Sequence, residues 1–206
     1  MCITLDGLRL SHAEQAQQLC AAGAQWIQLR TKNAAPAAWL ATAREVVAIC
    51  HAHRAICIIN DSLEIALATD ADGVHLGSLD LGWREARHQL GSQKILGGTV
   101  NNLADAARVR DAGCLDYVGV GPLRLTMTKQ KLAPVLGLVG VSELLCALGH
   151  LPAWVIGGVE PADLSSLRSA GAAGAAISSA LFRDGRIAEN LRAFRDAWSA
   201  QPVLLS

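Results

Sequence analysis

Ala22-Gly23-Ala24-Gln25-Trp26-Ile27-Gln28-Leu29-Arg30-Thr31-Lys32 runs from a helix end to a functional rim in one short segment. Ala-Gly-Ala closes an alanine-rich helical stretch, with Gly23 just past the helix end, where a left-handed residue is wanted. A strand follows. Its alternation puts Gln28, Arg30 and Lys32 on one face and Ile27 and Leu29 on the other. The phrase returns at Ala112-Gly113-Cys114 and Ala170-Gly171-Ala172, each time between a helix and the next strand. That is a weak internal repeat of one βα unit.

Working outward, the same rhythm covers the chain. Short runs of β-branched and small residues predict strands at 2–5, 25–30, 55–60, 73–76, 94–98, 117–121, 153–156 and 175–178. Helices are expected near 11–22, 36–53, 62–69, 82–90, 102–112, 138–148, 161–170 and 186–199, with start signals at Ser11, Asn102 and Pro161. Gly23, Gly91, Gly113, Gly149 and Gly171 mark helix ends. Eight βα units in 206 residues sit at the lower length limit of a (β/α)8 TIM barrel. The rival, an open doubly wound sheet, usually has fewer strands and a phosphate-binding glycine loop at its first turn. Here that turn is Asp6-Gly-Leu-Arg9, which has no such loop. No linker-like tract divides the chain, so residues 1–206 are read as a single α/β barrel domain.

The bulk numbers set limits. Hydrophobic residues make up 51% and charged residues 17%, which argues against disorder. Eighteen basic residues balance eighteen acidic ones, so no broad electrostatic grip on nucleic acid or an anionic membrane is expected. Any phosphate must be held by local convergence of charge. The six cysteines are scattered without a Cys-x-x-Cys pair and read as buried reduced thiols of a cytoplasmic protein. Asp6 and Glu14 interrupt any apolar leader. Glu143, His150 and Pro152 interrupt the longest apolar window.

In a barrel, function gathers at the C-terminal ends of the strands. Gln28, Arg30 and Lys32 end the second strand. If Ile27 and Leu29 face helices, the polar set faces the barrel mouth, where burial without partners would cost several kcal/mol. Asp61 ends the third strand and Asp80 follows the fourth. Two carboxylates beside cations and a polyphosphate suit Mg²⁺, although Asp61 and Asp80 each also suit a helix N-cap. His75 reads as a hydrogen-bonded wall residue, and His51-x-His53 as surface; neither has zinc-ligand spacing. Thr99 offers a hydroxyl after glycines. Thr126, Thr128 and Lys129 place two hydroxyls and an ammonium after Gly121-Pro122. Gly157 and Gly158, with a helix start after Ser178-Ser179, make a phosphate cup. Two anion sites at one rim suggest either joining two phosphorylated fragments or binding one bisphosphate.

These segments resemble the thiamine phosphate synthase family. The motifs are Gln28-Leu-Arg-Thr-Lys32, Asn60-Asp61, Ala71-Asp-Gly-Val-His-Leu-Gly77 with Asp80, Gly119-Val-Gly-Pro122 with Thr126-Met-Thr-Lys129, Ile156-Gly-Gly-Val159 and Ser178-Ser-Ala180, in family order over most of the chain. The resemblance implies a Mg²⁺-dependent transferase on a (β/α)8 barrel. It would couple hydroxymethylpyrimidine diphosphate to a thiazole phosphate and release pyrophosphate. It further implies that Gln28, Arg30, Lys32, Asn60, Thr99 and Lys129 bind the pyrimidine diphosphate, with Lys129, Arg30 and Thr99 in catalytic roles. Asp61 and Asp80 would hold the metal; Thr126, Met127, Thr128, Gly158, Ser178 and Ser179 would hold the thiazole phosphate. Partners are then phosphorylated small molecules, not nucleic acid or membrane, with room for a homo-oligomer.

Some positions depart from the family pattern. Thr99 stands where serine is usual, Asn101 where histidine is frequent and Ser78 where glutamine is frequent. Leu123-Arg-Leu125 replaces an aliphatic-aromatic-proline run, so Arg124 is expected to add a cation at the loop. Three alternatives stay open: a thiazole tautomerase-like isomerase, a non-catalytic thiazole or thiamine phosphate binder, and another phosphosugar barrel. Retention of Lys32, Asp61, Asp80 and Lys129 favours the synthase.

Overall fold

A computed structural model describes residues 1–32, 34–77, 80, 82–125 and 134–200. Its strands are β1 (Cys2–Ile3), β2 (Trp26–Leu29), β3 (Ile56–Asn60), β4 (Gly73–Leu76), β5 (Ile95–Val100), β6 (Tyr117–Val120), β7 (Ala153–Ile156) and β8 (Gly174–Ala176). They form one sheet in sequential order, each paired parallel with the next. A parallel bridge between Cys2 and Ile177 joins the last strand to the first. There the Ile3 amide donates to the Ile177 carbonyl at 2.8 Å, and the Ile177 amide to the Met1 carbonyl at 3.0 Å. The sheet is therefore a (β/α)8 barrel, and the open-sheet rival is excluded.

The outer ring is α1 (His12–Ala21), α2 (Pro36–Ala52), α3 (Leu63–Ala68), α4 (Trp83–Leu90), α5 (Leu103–Ala112), α6 (Gly137–Leu148), α7 (Leu164–Ser169) and α8 (Ile187–Ser199). Ser11 caps α1 by accepting from the Glu14 amide, while Glu14 accepts from the Ser11 amide, a reciprocal cap that satisfies two otherwise orphan donors. Asn102 caps α5 through the Asp105 amide. Several expected bounds shift: β5 runs on to Val100 and β8 ends at Ala176. Pro161 opens a separate 3-10 turn, Pro161–Asp163, and α7 starts only at Leu164. The first strand stops at Ile3, because the Leu5 amide and carbonyl are both bonded to the Gln15 side chain of α1.

Ile27 and Leu29 are fully buried against the helices, and each contributes about 2 kcal/mol by leaving water. A one-residue slip of β2 would send them into the mouth and push Gln28 and Arg30 into the hydrocarbon layer, so the register is strongly specified. Inside the barrel, toward the strand N-termini, Trp26 meets Tyr117 and Trp154 edge to face, with ring centroids at 5.4 and 5.1 Å. Two glycines make room for these rings. A Cβ at Gly97 would lie 2.3 Å from Tyr117, and one at Gly174 would lie 2.4 Å from Trp154. This aromatic layer is the floor on which the mouth stands.

Of the six thiols, Cys2, Cys20, Cys50 and Cys57 are buried, whereas Cys114 is only half-buried and Cys146 is exposed, so the expected burial fails at those two. None of the six is in a disulfide. No helix among the described residues is long and apolar enough to cross a membrane.

Candidate active site

The C-terminal ends of the strands surround a cavity of about 360 Å³. Its β2–β5 wall carries Gln28, Arg30, Lys32, Asn60, Asp61, His75, Asp80 and Thr99; its β7–β8 wall carries Gly157, Gly158, Glu160, Ser178, Ser179 and Arg183. The two expected anion sites thus share one chamber. Gln28 and Asn60 are buried, at 3% and 7% exposure, so their amides serve the chamber and not solvent.

Asp61 is not the helix cap that its position allowed. Ser62 takes that role, accepting from the Ile65 amide at 3.2 Å. Asp61 instead adopts a left-handed backbone, φ 66°, and its carboxylate meets the Lys32 ammonium at 3.3 Å. Neither does Asp80 cap α4, whose N-cap is Gly82. The Asp80 carboxylate accepts from the Gly77 amide at 2.6 Å. Burial pushes the Asp80 carboxyl above the usual carboxylate range; the Gly77 amide opposes this, and the Asp61 carboxylate adds to the rise. Two neighbouring carboxylates, with one ammonium at their edge, could hold an added cation.

Behind this wall runs a hydrogen-bonded chain. His75 joins the Tyr117 hydroxyl through Nδ1 at 3.0 Å and the Thr99 hydroxyl through Nε2 at 3.0 Å. The Gln28 side chain also bonds Tyr117. Burial raises the Tyr117 phenol, which therefore stays a donor. If the Tyr117 hydroxyl donates to His75 Nδ1, the neutral ring donates from Nε2 to the Thr99 oxygen, which leaves the threonine hydroxyl able to donate into the chamber. His75 is thus the wall residue that the sequence indicated. Tyr117 was read only as the start of an apolar strand. Its one available signal was parity with Gly119 and Gly121, which also line the chamber.

The opposite wall is largely backbone. Gly157 and Gly158 have φ of 94° and 66°, a region where any other side chain is strained. Ser178 and Ser179 lead into a 3-10 turn, Ser179–Gly185, that bends at Arg183 and Asp184, in place of the regular helix start expected there. Arg124 does not add a free cation. Its guanidinium is engaged with both oxygens of Asp163, at 2.5 and 2.6 Å, and with the Gly158 carbonyl at 2.9 Å. Arg124 holds Asp163 below the usual carboxylate range. The pair fastens the β7 loop to the β6 loop, because Asp163 also accepts from the Glu160 amide. Asn101, noted as a departure, also lines the chamber and donates from its side chain to the Gly121 carbonyl. Arg183 and Glu160 carried no sequence signal at all. Thr126, Met127, Thr128, Lys129 and Ser78 lie outside the described residues.

Fold and chamber together define a parallel (β/α)8 barrel whose polar groups converge at the strand C-termini. Comparison with known proteins narrows this class. A family model described as thiamine monophosphate synthase matches residues 1–181. A thiamine-phosphate synthase of Bacteroides fragilis is 39% identical over 185 residues, covering 88% of this chain and 90% of that one. One from Flavobacterium johnsoniae is 41% identical over 160 residues, covering 76% and 75%. The solved thiamine phosphate pyrophosphorylase of Pyrococcus furiosus superposes with a TM-score of 0.85 at 26% identity, covering 96% of this chain and 93% of that one. The chain belongs to the thiamine monophosphate synthase family.

Proposed function

We propose that this chain is a thiamine-phosphate synthase, a transferase that joins hydroxymethylpyrimidine diphosphate to thiazole phosphate and releases pyrophosphate. The supporting observation is the division of a single chamber: cations, amides and paired carboxylates on β2–β5 face a cup of glycine and serine on β7–β8. Gln28, Arg30, Lys32 and Asn60 would take the diphosphate, joined by Lys129. Gly158, Ser178 and Ser179 would take the thiazole phosphate, joined by Thr126, Met127 and Thr128.

Asp61 and Asp80 suit a Mg²⁺ ion, since their mutual proximity leaves negative charge undercompensated. Among the described residues no group of three or more His, Cys, Asp or Glu forms a metal site, so such an ion would complete its shell from substrate and water. When bound, it supplies neutralisation of the charge on the departing diphosphate. The residues do the remainder. Arg30, Lys32 and Lys129 stabilise the same developing charge. The carbon–oxygen bond breaks with its electron pair leaving on pyrophosphate, and the thiazole nitrogen forms the carbon–nitrogen bond with its own lone pair. Thr99, aimed by His75, donates to the pyrimidine substrate. No protein nucleophile is needed. Holding the two fragments in register supplies the rate advantage.

The test is product formation from both substrates. Thiamine phosphate is expected with Mg²⁺, its formation abolished by a chelator and restored by excess Mg²⁺. Undiminished product after chelation would remove the metal role from Asp61 and Asp80. Binding of both substrates without product would leave a non-catalytic barrel.

A further inference from the structure

The two ion pairs on the β7–β8 side are both two-pronged but differ in how far the carboxylate is exposed. Arg124–Asp163 has a largely buried carboxylate, at 17% side-chain exposure, and bonds in parallel to both its oxygens. Arg183–Glu160 also reaches both carboxylate oxygens, but it is open to solvent on both sides, at 57% and 43% exposure, and the second bond is stretched to 3.4 Å against 2.8 Å for the first. An exposed pair of that kind is held weakly and exchanges readily. Both its members line the chamber, beside Gly158 and Ser179.

The backbones beneath this loose pair are fixed. Asn190 of α8 donates to the Arg183 carbonyl at 2.9 Å and to the Leu181 carbonyl at 3.1 Å, and the Arg186 amide donates to the Arg183 carbonyl at 3.2 Å. The bend at Arg183 and Asp184 directs the chain out of the 3-10 turn. Glu160 is tied through its amide to Asp163 at 2.8 Å. An anchored arginine with an exchangeable carboxylate partner, at the lip of an amide-lined cup, is suited to change partners when a better anion arrives. A phosphate dianion offers more charge and more acceptor oxygens in the same fork geometry.

We propose that Arg183 is a specificity-determining clamp for the phosphate of the thiazole substrate, and that Glu160 holds its guanidinium in the absence of that phosphate. The proposal rests on the synthase reading for the name of the ligand, and on the geometry alone for phosphate.

The test compares the parent with Arg183→Ala and Glu160→Gln. Arg183→Ala is expected to raise KM for thiazole phosphate about tenfold, as loss of one charge-assisted contact does, with KM for the pyrimidine diphosphate unmoved. The preference for thiazole phosphate over the dephosphorylated thiazole alcohol should narrow by the same factor. Glu160→Gln should move KM for thiazole phosphate the other way, a gain that a merely structural ion pair would not give. An unchanged KM in Arg183→Ala, an equal loss with the alcohol, or a weaker Glu160→Gln would overturn the clamp. Binding of inorganic phosphate, followed by calorimetry without turnover, separates the two readings. Binding weakened by Arg183→Ala supports the clamp even in a chain that forms no thiamine phosphate. Binding indifferent to that change removes the clamp while leaving the synthase intact.

Discussion

The two walls of the chamber are built by different means. On β2–β5 the lining is charged side chains: Arg30, Lys32, Asp61 and Asp80. On β7–β8 the lining is largely main chain and hydroxyl, Gly157 and Gly158 turned by positive φ with Ser178 and Ser179 beside them, and the charged pair Arg183 and Glu160 sits among these. Side-chain charge is strong but costs desolvation, seen in the raised Asp80 carboxyl. Backbone amides cost little to dehydrate because the fold already orients them, but they depend on loop shape. The first wall is therefore expected to be the more sensitive to charge and the second to geometry.

The most damaging change should fall on the charged wall. Asp61→Asn keeps a residue that tolerates a left-handed backbone and is expected to lower turnover by about 100-fold or more. Melting temperature should hardly move, since Ser62 and not Asp61 caps α3. Wild-type turnover in steady-state kinetics would erase the distinction between the walls. A smaller effect is expected from a change of shape without charge. Gly158→Ala strains a φ of 66° and places a Cβ 3.0 Å from that of Arg124. KM for thiazole phosphate should rise about tenfold, while KM for the pyrimidine diphosphate stays. Equal rises in both would show that the walls are not separable.

The mildest change sharpens the role of the staple. Arg124 depresses the Asp163 carboxyl, so the bond adds stability above the ordinary carboxylate range, and that stability is lost as pH falls through the depressed value. Asp163→Asn should lower the melting temperature by about 2–4 °C at neutral pH, and the gap from the parent should close on acidification. A gap that persists at low pH would point to packing in place of charge.

Much of this was readable along the chain because it is encoded locally. Alternation at Ile27, Gln28 and Leu29 fixed which side of β2 faces the mouth, and glycines past helix ends marked the βα joins. The rim residues followed from a topological rule, and Arg30, Lys32, Asp61, Asp80, Gly158 and Ser179 all line one chamber. What sequence could not settle was competition among neighbours or pairing at a distance. Asp61 and Ser62 are both good caps, and only the backbone of the third strand's end decides between them. Arg124 looks like a spare cation until Asp163 is brought beside it from the next loop. The chain from Gln28 through Tyr117 and His75 to Thr99 draws on four strands. The register of a closed barrel has to exist before those residues are neighbours.

The glycines under the floor carry a consequence for redesign. Position 97 is empty because Tyr117 fills it, and position 174 because Trp154 does. Each glycine and ring are one volume shared between adjacent strands. Swapping Trp154 for a smaller residue alone would open a void, and enlarging Gly174 alone would collide; exchanged together, they would conserve the filling. The depth of the chamber can thus be retuned from below through the Trp154–Gly174 couple, whereas the Gly97–Tyr117 couple also carries the hydroxyl that holds His75.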